Sequence, residues 1–418
     1  MAAGEQAPAD AAMKILAASY SFPPDASPRA SQVSRVLAEL PAETTVVCAD
    51  NLEGTPDPTV APGIDSRLAE IVRLPHGRPL LSRRLDYAGY RLKISWAHAP
   101  DPQRPWVDNA RDLILERLAR GTLNPDILIT YGAPMSGHLI GPPVKKHARI
   151  PWVAHFSDPW ADNPYRRDNP ATAFINRRLE RRVVELADAV VFTSPETIDL
   201  VMKKYPKGLR RKALYLPHCF DPSAYPPGAP PDGEYVMRML GGLYTLRTPE
   251  PFYKAVERAA ASDPGSLSCA RFEFYGYIES RLKNLIDKYP AAKRAISFHG
   301  NVSYAESLRL MKTAHCLLAI DAPARFSVFF PSKIVDYLGS GRHIFAITPP
   351  GACERVTREL GGTVTDPSDD EDVYRALLGI LRDRPASSRP DAGSAYLCSN
   401  VAADTMSLLS SVVAGKLS

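Results

Sequence analysis

The sequence predicts an α/β protein built as two successive parallel-sheet domains. Three observations carry that expectation. The chain has 418 residues, too many for one ordinary hydrophobic core. Short apolar runs alternate with helical patterns in both halves, the mark of a parallel sheet covered by helices. A stretch dense in proline and glycine, Asp221 to Glu234 (DPSAYPPGAPPDGE), separates the two alternations and reads as an interdomain linker.

The elements follow in order. Residues 1–12 are small and polar and read as a loose tail. Lys14 to Ala18, Thr45 to Ala49, Asp126 to Thr130, Trp152 to Phe156 and Ala189 to Thr193 are the clearest strands of the first half. Ser27-Pro28 is an N-cap with proline in the first turn, opening a helix over Arg29 to Leu40. Thr193-Ser194-Pro195-Glu196 reads as a second start, with a Thr-x-x-Glu capping box. Beyond the linker, Val236 to Leu240, Arg271 to Tyr275, Ile296 to His299, Cys316 to Ile320 and His343 to Ile347 are predicted strands. Ser303-Tyr304-Ala305-Glu306 is a further capping box, and Val401 to Val413 a final helix able to pack back on the first domain.

Composition narrows the function. Fifty-one basic against forty-six acidic residues leave a formal charge of +5, far from what a nucleic-acid binder carries. The excess suits anionic ligands or an anionic membrane surface. The six cysteines are scattered without a CxxC pair, which argues against a zinc site and a disulfide framework. No apolar run reaches the ~20 residues a spanning helix needs, and the N-terminus fails as a signal peptide, so the cytoplasm is the expected compartment. GxGxxG after a strand, GxxxxGK[ST], GxSxG and HExxH are all missing.

Parallel sheets bind ligands at the carboxyl ends of their strands, and three constellations lie there. In Phe329 to Gly341 (FFPSKIVDYLGSG), Ser332 is expected to cap a helix carrying Lys333 in its first turn and Asp336 one turn on. A lysine beside a helix N-terminus suits a diphosphate, and a nearby carboxylate suits ribose hydroxyls. An exposed Lys–Asp pair on a glycine-capped helix is the plainer alternative. In Leu240 to Arg247 (LGGLYTLR), Gly241 and Gly242 let the backbone approach a phosphate that Arg247 can bind bidentately. A strand-ending turn with a solvated arginine fits the same residues. In Pro151 to Trp160 (PWVAHFSDPW), His155 and Asp158 fall where the strand ends, placed to touch a sugar or the reacting centre, with a satisfied histidine near the sheet edge as the plainer alternative. Two basic clusters, Arg177, Arg178, Arg181 and Arg182, and Arg78, Arg83, Arg84, Arg91 and Lys93, are either solvated faces or a contact with an anionic membrane.

Taken together, the blocks resemble bacterial glycosyltransferases of the GT-B fold, in the large retaining family-4-like group of polysaccharide and glycan synthesis. The resemblance runs from about Met13 to Leu381 and rests on the order of its pieces. It implies two Rossmann-like domains facing across a cleft: an acceptor-binding domain over 13–222, a nucleotide-sugar-binding domain over 223–395, and a helix over 396–418 returning to the first. Arg247 and Lys333 would hold the donor diphosphate, with Gly241 and Gly242 beside it. Asp336 matches the second glutamate of a family pair and would bind ribose. His155 falls at the family's active-site histidine or aspartate near the transferred sugar, and Pro350-Gly351-Ala352 would be part of the donor loop. Ser27 and Arg29 would belong to the acceptor-side loop. The implied partners are a nucleoside diphosphate sugar and a saccharide or lipid-linked acceptor, with no metal, no other cofactor and no nucleic acid. Two departures stand out: Val328 occupies the place of the first glutamate, and Ala26-Ser27 that of paired glycines. A nucleotide-sugar epimerase and a non-catalytic nucleotide-sugar-binding partner are the alternatives.

Overall fold

The computed structural model describes residues 12–50, 56–75, 100–244, 246–385 and 390–416. Two wholly parallel sheets organise them. The first orders its strands β3-β2-β1-β4-β5-β6-β7, with β1 Lys14–Ser19, β2 Glu43–Ala49, β3 Glu70–Leu74, β4 Ile127–Tyr131, β5 Trp152–Phe156, β6 Ala189–Phe192 and β7 Ala213–Tyr215. Ala17 of β1 lies between Val46 and Ile129. The second orders its strands β10-β9-β8-β11-β12-β13, with β8 Tyr235–Leu240, β9 Ala270–Tyr275, β10 Ile296–His299, β11 Cys316–Ile320, β12 His343–Ile347 and β13 Thr363–Thr365. In each sheet the order reverses beside the first strand, at β1/β4 and at β8/β11. A crevice opens at such a switch point.

The central strands are those their apolar runs predict. β3, β7 and β13 escaped the pattern because they are short edge or near-edge strands with few fully buried positions. Such strands carry little of the signal that burial imposes on sequence.

Helices of eight residues or more cover both faces of each sheet: α1 Pro28–Glu39, α2 Arg104–Ala119, α3 Gly141–Ala148, α4 Pro170–Leu186, α5 Pro195–Met202, α6 Glu250–Ser262, α7 Tyr304–Lys312, α8 Ser332–Ser340, α9 Ala352–Glu359, α10 Asp370–Asp383 and α11 Cys398–Val413. The cap of α1 is Ser27, whose hydroxyl accepts from the Ala30 amide. Two predicted caps need correction. α5 is capped by Ser194, not Thr193, and Glu196 reaches Arg355 rather than closing a box. α8 has Pro331 at its N-cap position and no side-chain cap, so Ser332 is already helical.

Each domain has an apolar core on both faces of its sheet, the first around Trp106 and Trp152 on one face and Ile15 and Val153 on the other, the second around Phe252 and Phe272 on one and Ile334 on the other. Full burial of one such phenylalanine contributes about 2–3 kcal/mol. α11 lies against α1, and its Leu409 and Val412 join Val33 and Leu37 in the first domain's core.

The two crossovers between domains run side by side. The Phe220 amide donates to the Tyr396 carbonyl and the Cys398 amide to the Phe220 carbonyl, both at 2.9 Å. The proline-rich stretch itself runs along the second domain: the Tyr225 hydroxyl donates to the Asp336 carbonyl at 2.8 Å, and Arg342 holds the Gly228 carbonyl at 3.1 Å.

Candidate functional site

Between the carboxyl ends of the two sheets lies a cavity of about 1040 Å³, lined by Asp25 to Pro28 and Pro56 to Val60 on one side and Leu240 to Gly242, Tyr275 to Tyr277 and Asp336 on the other.

Its second-domain wall is built from stacked strand ends. The Gly241 amide donates to the Tyr275 carbonyl, and the Gly276 amide to the Gly300 carbonyl. Gly241 turns with φ of 128° and Gly276 with 115°, a region that favours glycine. A Cβ on Gly276 would meet the Gly241 carbonyl oxygen at 2.5 Å, so these loops touch backbone to backbone. Lys333 leans over the same turn, its Cδ 3.6 Å from where a Gly241 Cβ would be.

Lys333 is the least satisfied group of the site. Its Nζ is buried without a hydrogen-bond partner. Burial first, and Arg247 second, hold its pKa down at about 8. Arg247 pairs with the buried Asp321 at 3.3 Å, and Asp321 is fixed in turn by the Ala322 amide at 2.9 Å and Ser327 at 3.3 Å. The first turn of α8 adds backbone amides with no side-chain cap. Two cations beside an uncapped helix start have the chemistry to receive an anion.

On the first-domain side His155, the fourth residue of β5, stands off that lining, in a small cavity of about 30 Å³ shared with Arg29 and His218, and Asp158 follows just beyond the strand. Arg29 is in the first turn of α1 rather than in the loop, and it turns inward. Its Nη2 lies 3.2 Å from both His155 Nδ1 and the His155 carbonyl oxygen. A guanidinium only donates, so Nδ1 accepts and the ring proton of the neutral imidazole sits on Nε2. Burial, then Arg29, hold His155 well below its ordinary pKa, which fixes it as a neutral donor. Burial pushes the Asp158 carboxyl up, against the pull of Arg29 and Arg247. Arg247 thus acts electrostatically on Lys333 in its own domain and on Asp158 across the cleft. Ser27 lines the cavity as the cap of α1, with its hydroxyl donating to Asp25 at 2.7 Å.

Asp336 is not joined to Lys333. Its carboxylate meets Arg35 of α1 at 2.9 Å and the Tyr304 hydroxyl at 3.4 Å. Burial raises its pKa, with Arg35 opposing. Gly351 is buried away from the open cavity with φ of 137°, and a Cβ there would lie 1.9 Å from the Ser327 carbonyl oxygen. Val328 is buried, and its carbonyl accepts from Ser194 at 2.8 Å and Thr197 at 3.0 Å across the domain boundary. Asp57 and Thr59 similarly accept from the Tyr304 and Ala305 amides at the start of α7. Arg177, Arg178, Arg181 and Arg182 are exposed on α4 beside Phe174, which is 63% exposed. Arg78, Arg83, Arg84, Arg91 and Lys93 lie outside the described residues.

Sequence reasoning missed Asp321, Gly276, Arg35 and the Asp57–Tyr304 contact. Asp321 and Gly276 each directly follow a correctly predicted strand, so the strand-end rule that selected Gly241 and His155 could have found them. Arg35 and Asp57 carry no such signal, because their partners are fixed only by domain packing.

Two Rossmann-like domains whose switch points face one cleft are the GT-B architecture. Residues 26–214 match the family model described as a glycosyl transferase 4-like domain. Over nearly its full length the chain resembles sucrose-phosphate synthase from Thermosynechococcus elongatus, with a TM-score of 0.69 and 13% identity, covering 96% of this chain and 100% of that one. It also resembles Anabaena HepE in complex with UDP and glucose, at 0.57 and 14%, covering 96% and 98%. A third similar structure is a putative UDP-N-acetylglucosamine 2-epimerase from Listeria monocytogenes, at 0.61 and 12%, covering 96% of both chains. No curated protein sequence matches. Residues 26–214 thus match a glycosyl transferase 4-like domain, and the structural likenesses over the full chain show a GT-B fold.

Proposed function

We propose that the protein moves a sugar from a nucleoside diphosphate sugar to a saccharide or lipid-linked acceptor in cell-surface polysaccharide or glycan synthesis, retaining anomeric configuration and requiring no metal ion. The observation that carries this reading is the buried Lys333 ammonium, without a hydrogen-bond partner beside the Gly241 turn, with Arg247 close enough to act electrostatically on it and on Asp158. A diphosphate supplies the anion this arrangement lacks. As the bond to the sugar breaks, negative charge grows on the departing diphosphate, and Lys333, Arg247 and the α8 amides are already oriented to receive it. The His155 Nε2–H donates to a hydroxyl of the transferred sugar. In a retaining reaction the leaving phosphate takes the acceptor proton. In an inverting one Asp158 is the base, since its raised pKa suits proton uptake.

The test begins with thermal shifts for UDP, GDP, ADP and dTDP and their sugars without added metal, in wild type and Lys333→Ala. A selective shift lost in the variant supports the donor site, and no shift from any nucleotide defeats it. Product anomer by NMR then decides retention. Conversion of a UDP-sugar with no acceptor present would establish the epimerase reading instead, and tight donor binding without turnover on any acceptor the non-catalytic one.

No helix among the described residues is long and apolar enough to cross a membrane. We place the protein in the cytoplasm, with the α4 arginines and Phe174 touching the anionic inner face of the membrane. Sedimentation with phosphatidylserine vesicles checks this: wild type pellets at low salt and an Arg177→Glu/Arg178→Glu variant does not.

A further inference from the structure

Cys219 and Cys398 are 179 residues apart in sequence, yet their sulfurs lie 2.8 Å apart. They sit on the two crossovers between domains, where Phe220 and Leu397 form a parallel bridge. Val36 of α1 and Val401 of α11 pack around them, and Arg35 holds the Cys219 carbonyl at 2.8 Å. The pair is not sealed off. Cys398 lines a cavity of about 520 Å³ between α1, residues 58–67, the hinge at Asp221 to Ala224 and α7. Cys219 is not part of that lining, so one thiol is reachable and the other stands behind it.

The structure assigns Cys219 and Cys398 as a dithiol modification site, closed by a small-molecule disulfide oxidant of the glutathione type into a disulfide that ties the two interdomain crossovers together. The exchange balances. The Cys398 thiolate attacks the oxidant's disulfide, forming a mixed disulfide and releasing one thiol. The Cys219 thiolate then attacks the Cys398 sulfur and expels the second thiol. Two protein thiols are oxidised and one disulfide is reduced to two thiols. The hydrogen bond between the sulfurs, and burial after it, push the Cys398 pKa up, so exchange quickens as pH rises. The closed ring contains the whole second domain, which restricts the unfolded chain. In the folded state it stiffens the segment about which the domains turn.

The other buried cysteines, Cys48, Cys316 and Cys353, lie within the domains, and Cys269 is exposed. A full-length Cys269→Ser chain is therefore the background for the test. It is reduced, freed of reductant and treated with oxidised glutathione at pH 8. Expected are a loss of two hydrogens in intact mass, a Cys219–Cys398 cross-linked peptide on non-reducing digestion, and a raised melting temperature reversed by reductant. Hydrogen exchange at residues 216–220 and 396–400 should slow by about tenfold. Cys219→Ala should accumulate one glutathione on Cys398, while Cys398→Ala should take up none. An unchanged intact mass, or a cross-link between other cysteines, overturns the site. A disulfide that forms without slowing exchange at the crossovers overturns the stiffening. The mass result on the chain with both thiols intact stands even where a variant fails to fold, and it requires no donor or acceptor.

Discussion

Lys333 gives the donor-site reading its sharpest consequence. Its pKa of about 8 reflects an ammonium held in a dry place without a hydrogen-bond partner, where Asp321 is too weak a counter-charge to offset burial and Arg247. A bound diphosphate supplies a stronger counter-charge and raises the pKa, so donor binding takes up a proton. The free enzyme is about nine-tenths protonated at pH 7 and about one-tenth at pH 9. Affinity scales with the competent fraction, so the donor Kd should weaken about tenfold over that interval, or about 1.4 kcal/mol. Titration calorimetry at pH 8, in two buffers of different ionisation enthalpy, should report uptake of about half a proton per donor bound. Lys333→Arg keeps its charge throughout and should show neither effect, which also cancels any titration of the nucleotide base. Equal pH slopes in wild type and Lys333→Arg would refute the reasoning. The stability sign follows separately. The folded pKa lies below the unfolded value near 10.5, so the buried charge destabilises the fold below pH 8, by about 3 kcal/mol, and the penalty fades as pH rises toward 10.5. Lys333→Met should therefore melt higher than wild type at pH 7 and lose that advantage near pH 10.

Other residues make independent predictions. Because His155 is neutral well below its ordinary pKa, the kcat–pH profile should show no break between pH 6 and 7, and His155→Ala should lower kcat by about 10²-fold with little change in donor Kd. Arg247→Ala removes a proposed diphosphate contact and strands the buried Asp321, so it should destabilise by about 3 kcal/mol in denaturant melts, and adding Asp321→Asn should restore most of that stability but not turnover. Gly351→Ala puts a Cβ against the Ser327 carbonyl at positive φ and should lower the melting temperature by the equivalent of about 2 kcal/mol or more. Arg35→Ala should widen the free protein in small-angle scattering, since it removes the ion pair at 2.9 Å that holds α1 to α8.

What the sequence made legible divides along a physical line. Central strands declare themselves because burial on both faces forces unbroken apolar runs such as Cys316 to Ile320. Strand-end residues follow, since a parallel sheet delivers its loops to one edge, and this put Gly241 on the wall of the large cavity, whereas Arg247, His155 and Asp158 stand off its lining. Lys333 was legible as a helix-start cation, but its missing partner was not, because hydrogen-bond satisfaction depends on every neighbour in space. Ser332 was misread as a cap because Pro331 occupies the position one residue earlier. Arg35, Asp57 and Tyr304 were invisible for a deeper reason: their contacts join elements separated by more than 240 residues in the case of Asp57 and Tyr304, and nothing local encodes that distance.

If the donor ribose binds Asp336 as proposed, the Arg35–Asp336 pair governs how the donor enters. Asp336 stands on α8 one turn beyond Lys333, and its carboxylate is already engaged by Arg35 and Tyr304 of opposite walls. A ribose hydroxyl that donates to Asp336 must share or displace Arg35, so base-side recognition and the grip of α1 on α8 are coupled by one carboxylate. Lys333 bears no such conflict, for its Nζ has no hydrogen-bond partner to give up, whereas Arg247 must share or release Asp321. Diphosphate capture should therefore precede ribose engagement, and the two steps are separable by mutation. In Arg35→Ala the competitor is gone, and Asp336 is left as a buried carboxylate with Tyr304 alone. A nucleoside diphosphate should then bind more tightly than inorganic pyrophosphate by a larger ratio than in wild type, because only the nucleoside carries the ribose. An unchanged ratio would mean that ribose never reaches Asp336, and that the carboxylate serves only to hold the domains together.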